Sequence, residues 1–222
     1  MTKRARTAIV VGASGLVGRA LLQQLTAPGS GYAGVHALVR KAIVDAPAGV
    51  MQQVVDFSRL LALPVADDLY CALGTTIKVA GSHAAFRAVD FDAVVNSARA
   101  AQAAGARRMA LVSAMGAASN SPLSYNRVKG ETEAALRALK FERLVIARPA
   151  LLLGPRAALG QASRPGEAWM AKALTPVAGF LPASIRPIDV QVVARAMILA
   201  LQRAGDAVEV LESGELQRLG HA

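Results

Sequence analysis

Residues 8–22 constrain this chain more than any other stretch: Ala8-Ile9-Val10-Val11-Gly12-Ala13-Ser14-Gly15-Leu16-Val17-Gly18-Arg19-Ala20-Leu21-Leu22. An apolar, β-branched run stops at a glycine. Two more glycines follow at three-residue spacing, and a helical period then begins with Leu16, Ala20, Leu21 and Leu25. That order is strand, tight turn, helix. In such a turn Gly12 permits the sharp reversal, Gly15 lets a pyrophosphate approach the backbone, and Gly18 lets the helix pack closely on the strand. The N–H groups at the helix start, together with its dipole, bind phosphates. The segment predicts a dinucleotide-binding turn.

The pattern then repeats. Apolar runs at 35–39, 51–55, 68–73, 108–112 and 143–148 read as strands. Two helical patterns, 83–89 and 90–104, the second ended by Gly105, and a third from Tyr125 to Leu139 separate the later ones. Asp56 is expected to cap a short helix over 57–63 or to face an adenine edge. The period weakens after Pro149. A loop over 154–166, a helix over 167–180, a short edge strand at 186–188, a helix over 190–203 and a late strand at 208–211 complete the chain. Ser213 is expected to cap a last helix through Leu219.

Six strand–helix alternations predict an α/β fold: a doubly wound parallel sheet of the Rossmann type with a small C-terminal substrate-side subdomain. One domain spans 1–222, with the substrate side mainly within 150–222. Ligand is expected outside the strand C-termini, where Gly12–Gly18, Arg40, Gly74 and Ser113 all fall. Arg40 and Lys41 end the second strand, where a basic residue accommodates the 2′-phosphate of NADP and an acidic one the 2′-hydroxyl of NAD. NADP(H) is therefore the expected cofactor. Gly74 again permits close ligand approach.

Composition narrows the classes. Hydrophobic residues make up 54% of the 222 and charged residues 18%, which supports a large core rather than disorder. Aromatics are only 4%, so the core is built from Ala, Val and Leu, as suits helices packed closely on a parallel sheet. The formal charge of +10 comes mainly from scattered arginines. Without a basic block or aromatics to stack bases, it fits an anionic cofactor and no nucleic-acid partner. The single Cys71 excludes an internal disulfide and a Cys-based zinc site, and no metal is expected. The basic start Met1–Arg6 precedes an apolar segment too short for a signal sequence, and no apolar run reaches the ~20 residues of a membrane span. A cytoplasmic protein without membrane contact is expected.

Tyr125 and Lys129 lie one helical turn apart and share a face. A nearby ammonium favours a phenolate, so the tyrosine can exchange a proton with a substrate oxygen while a nicotinamide moves a hydride. The lysine can also hold the nicotinamide ribose.

With these residues the chain resembles the short-chain dehydrogenase/reductase superfamily, in its extended and atypical branch. Within it, the chain is most similar to the Tat-interacting oxidoreductase family and its short bacterial relatives. The resemblance is carried by Gly12–Gly18, Val39-Arg40-Lys41, Asp56-Phe57, Cys71–Thr76, Val89-Asp90, Ser113–Gly116, Tyr125–Glu131, Arg148-Pro149 with Leu151-Leu152, and Arg164–Glu167. It implies NADP(H) held by Ser14, Gly15, Leu16 and Val17, by Arg40, by Leu73 and Gly74, by Tyr125 and Lys129, and by Leu152 and Arg164. Tyr125 becomes the proton donor or acceptor, with Lys129 beside it. Ser113 is a further catalytic candidate, adjacent to the superfamily's serine position but expected to point elsewhere from the strand end. The superfamily's carbonyl-holding serine aligns with Ala114, a departure that implies slow turnover. Two functions follow: an NADP(H)-dependent oxidoreductase acting on a small carbonyl or alcohol, or an NADPH-binding regulatory protein with little turnover.

Overall fold

From Ala8 to Val11 every side chain is wholly buried, as a strand covered on both faces requires. In the computed structural model, which describes residues 6–60, 62–154, 182 and 184–222, this run is strand β1 (Arg6–Val11). The other strands are β2 (Tyr32–Val39), β3 (Val50–Val54), β4 (Asp68–Cys71), β5 (Arg108–Val112), β6 (Arg143–Arg148), β7 (Leu152–Leu153), β8 (Ile188–Asp189) and β9 (Val208–Glu212). The helices are α1 (Leu16–Leu25), α2 (Ile77–Ala80), α3 (His83–Arg87), α4 (Val94–Ala103), α5 (Ser124–Ala138), α6 (Val190–Gln202) and α7 (Ser213–His221).

The main sheet is seven-stranded, in the order β3-β2-β1-β4-β5-β6-β9, and every pairing is parallel. This is the expected doubly wound Rossmann-type arrangement. The winding reverses between β1 and β4, where Val11 pairs with Cys71. In a sheet of this kind the ligand crevice lies outside the strand C-termini at that point. The late strand joins the main sheet as β9 on the outer edge of β6, while β7 and β8 pair apart from it.

Alternation along β1 divides the core. Ala8 and Val10 pack with Leu21, Leu25, Met197 and Leu201 of α1 and α6. Ile9 and Val11 pack with Val94, Ala98 and Leu136 of α4 and α5 on the other face. At the N-terminal end of the sheet, the buried Asp68 accepts from Arg108 Nε at 2.6 Å and from Tyr32 Oη at 2.5 Å. Tyr32 and Tyr70 share a hydroxyl contact of 2.8 Å. This network ties β2, β4 and β5 together at the end opposite the crevice.

Local chemistry accounts for the departures from expectation. Residues 57–60 are not helical. The Asp56 carboxylate accepts from the Ser58 amide at 2.8 Å and hydroxyl at 2.7 Å, which closes a turn instead of capping a helix. The two helical patterns over 83–104 are α3 and α4, but a π turn displaces the boundary expected between Val89 and Asp90. Ser82 caps α3, and a π-helical turn over Ala88–Ala93 separates it from α4. Gly105, at φ +106°, ends α4 as expected. The last helix is capped by Glu212, whose side chain forms a reciprocal capping box with Glu215, while Ser213 is buried. The loop and helix expected over 155–181 lie outside the described residues.

Candidate functional site

The glycine turn sits at the crevice, and its three glycines are not equivalent. Gly12 holds φ +77°, and a Cβ there would lie 2.4 Å from the Ala72 carbonyl carbon. A Cβ on Gly18 would lie 2.1 Å from the Gly12 oxygen. Packing of the chain on itself requires both. At Gly15 the nearest atom would be 3.2 Å away, so packing alone demands less of it. Gly15 is also the N-cap of α1, in extended conformation and with no side-chain cap, which leaves the first-turn amides for another acceptor. Leu16 and Val17 point into the core, so only their backbone can meet a ligand. Ser14 is exposed.

Arg40 and Lys41 are exposed just past the end of β2. Leu73 and Gly74 follow β4, next to the glycine turn. Leu152 is half-buried in β7. Arg164 lies outside the described residues.

Tyr125 is half-buried in the first turn of α5, and Phe86 of α3 stacks on it with ring centroids 5.4 Å apart at 27°. Two further contacts join the same helices. Ser124 Oγ lies 3.1 Å from His83 Nδ1, and Arg87 pairs with Glu131. One turn on, Lys129 is buried, with Nζ 2.8 Å from Asp90 Oδ1. The Asp90 Oδ2 accepts the Thr75 amide at 2.8 Å. Desolvation works to lower the Lys129 pKa. Asp90, and to a smaller degree Tyr125 and Cys71, reverse this and hold it above the ordinary lysine value. A Cβ on Gly74 would come within 3.4 Å of Asp90 Oδ1 and 3.5 Å of Lys129 Nζ, so the backbone after β4 passes directly over the pair.

Ser113 turns away from this group. It is 5% exposed, and its hydroxyl donates to the buried Glu133 Oε1 at 2.5 Å. Arg148 spans Glu133 and Glu212, with contacts of 2.6 Å and 3.0 Å. Ala114, next in line, is half-buried and offers only a methyl group.

Sequence reasoning gave Asp90 no role of its own and did not connect Phe86 to the site. The available signal for Asp90 was the break in helical period between Val89 and Asp90, where the π turn now places a buried carboxylate.

No protein-family model matches the chain. Protein HTATIP2 of Rattus norvegicus is 37% identical over 226 residues, which cover 97% of this chain and 89% of the relative. The chain belongs to the HTATIP2 family. Protein FMP52, mitochondrial, of Eremothecium gossypii is 41% identical over 152 residues, 67% of each chain. Among solved structures, MoeE5 in complex with UDP-glucuronic acid and NAD aligns with a TM-score of 0.72 at 18% identity, over 94% of this chain and 76% of that one. That similarity establishes the fold, which the chain shares with proteins solved in complex with NAD and with 4-epimerases of UDP-sugars. The cytoplasmic expectation is overturned: the relatives from Eremothecium gossypii, Scheffersomyces stipitis and Aspergillus niger are all named mitochondrial. A short basic start followed directly by a core strand did not distinguish the two destinations. Among the described residues no helix is long and apolar enough to cross a membrane.

Proposed function

We propose that this family member is an NADP(H)-dependent oxidoreductase of the atypical short-chain dehydrogenase/reductase type, acting on a small carbonyl or alcohol. The observation that carries the reading is the placement of Tyr125 and the buried Lys129 on one face of α5, with Lys129 against the Gly74 backbone. The nicotinamide, when bound, supplies or accepts a hydride.

The residues present fit such a cofactor. Gly12, Ser14, Gly15, Leu16, Val17 and Gly18 would hold the pyrophosphate through backbone amides and the α1 dipole. Arg40 and Lys41 would meet the 2′-phosphate. Leu73, Gly74 and Leu152 would line the path toward the nicotinamide, with Arg164 carried over from the resemblance. Lys129 would hold the nicotinamide ribose and stabilise negative charge on the Tyr125 oxygen, and Tyr125 would pass the proton to or from the substrate oxygen. Ser113, engaged by Glu133, would act by fixing the loop after β5 against α5. The whole chain would work as one domain, with the substrate side mainly in 150–222.

One observation favours the second reading, an NADPH-binding regulatory protein with little turnover. Neither Ser113, bonded to Glu133, nor Ala114 offers a hydroxyl to a substrate carbonyl.

Single-turnover NADPH oxidation with a panel of aldehydes and quinones tests the proposal. Tyr125→Phe should abolish turnover while NADPH still binds. Turnover that survives Tyr125→Phe would remove the proton-transfer role. Tight NADPH binding with no wild-type turnover would favour the regulatory reading.

A further inference from the structure

We infer that Asp90 is the positioning residue for Lys129: its carboxylate fixes the buried ammonium beside Tyr125 and keeps it a cation. The inference rests on the proposed role of Lys129 and adds a residue to that site.

The geometry is over-determined. Both side chains are nearly sealed from solvent, at 6% exposure for Lys129 and 0% for Asp90. The carboxylate cannot swing, because one oxygen faces Lys129 Nζ at 2.8 Å and the other takes the Thr75 amide at 2.8 Å. Its backbone is held as well. Thr132 Oγ1, one turn along α5 from Val128, donates to the Asp90 carbonyl at 2.9 Å and to the Val128 carbonyl at 2.8 Å. The π turn that carries Asp90 is thus fastened to the helix that carries Lys129.

Such a site cannot hold a lone ammonium cheaply, since desolvation favours the neutral amine. The groups facing Lys129 are Asp90 from the π turn, Tyr125 from its own helix and Cys71 from β4. Burial pushes the Cys71 thiol up to about 11, so near neutral pH it carries no charge that could replace Asp90. Asp90 is therefore the anion on which the ammonium depends.

The decisive experiment is a pH titration of the lysine side-chain nitrogens by 15N NMR on cofactor-free protein, with Lys129→Met used for assignment. In the wild type the Lys129 signal should remain that of an ammonium beyond the ordinary lysine value of ~10.4. In Asp90→Asn it should titrate at least about one pH unit lower than in the wild type, a tenfold loss of proton affinity. An unchanged Lys129 titration would overturn the inference.

If Asp90→Asn fails to fold, the double variant Asp90→Asn/Lys129→Met keeps the test open. It should fold and approach wild-type stability more closely than either single variant, whereas additive losses would overturn the inference. The pH profile of NADPH oxidation gives the chemical readout. In Asp90→Asn its alkaline limb should move down in step with the Lys129 titration, and an unmoved limb counts against the inference. The NMR arm uses no cofactor or substrate. A shifted Lys129 titration in a protein without turnover would sustain the inference and sink the oxidoreductase reading.

Discussion

Ser113 Oγ donates to Glu133 Oε1 at 2.5 Å, and both residues are buried. The bond joins the loop after β5 to the middle of α5, the helix that carries Tyr125 and Lys129. A hydrogen bond to a buried carboxylate contributes more than a neutral one. Ser113→Ala should lower stability by about 1.5–3 kcal/mol. Glu133 would keep its Arg148 and Arg137 contacts, which limits the loss. Urea unfolding measures this. NADPH oxidation should fall less than in Tyr125→Phe, and equal losses would return Ser113 to direct chemistry.

Ala114→Ser adds a hydroxyl at the position aligned with the superfamily serine. Loss of one preorganised donor to a developing oxyanion costs roughly 10²–10³ in kcat in the best-studied case. If the new hydroxyl reaches the substrate oxygen, turnover should rise by part of that factor, with NADPH affinity unchanged. Stopped-flow NADPH oxidation decides it, and turnover equal to wild type would argue against the alignment.

Arg40 is exposed at the rim of the crevice, and its guanidinium has no ion pair among the described residues. A charge-assisted contact with the 2′-phosphate should make NADPH bind more tightly than NADH. Arg40→Ala should remove most of that preference, about tenfold or more for a contact of this kind, and leave NADH affinity nearly unchanged. Calorimetry with both nucleotides tests this, and a mutant that keeps the full preference would shift the assignment to Lys41.

The tyrosines at the far end of the sheet predict alkaline behaviour. Burial raises Tyr70 well above its ordinary value. Burial, then Asp68, raises Tyr32. Folding therefore holds these protons more tightly than the unfolded chain does. Their contribution is fully present below the unfolded value of ~10 and is lost as pH rises above it. Urea midpoints should be insensitive to these groups near neutral pH and fall steeply beyond ~10. Tyr70→Phe should make that fall shallower, and an unchanged slope would mean that other groups drive it.

Some of this was legible in the chain because it is local. The β1 run, the three glycines and the α1 period are contiguous, and their geometry follows from sterics and periodicity over a few residues. The strands could be read because a parallel sheet buries them on both faces, which leaves unbroken apolar runs. Tyr125 and Lys129 share a face by spacing alone. Helix 57–63 was misjudged because a local competitor, the Asp56 side chain, took the Ser58 amide.

Tertiary structure decided which buried charge meets which. Nothing near Lys129 in sequence announces Asp90, and nothing near Ser113 announces Glu133. These pairs form because a parallel sheet brings α5, the π turn and the strand ends together. Burial then makes an unpaired charge too costly to leave without a partner. Periodicity records which face of an element is apolar. It does not record which polar group on another element will stand opposite, and here that pairing sets the charge and position of Lys129.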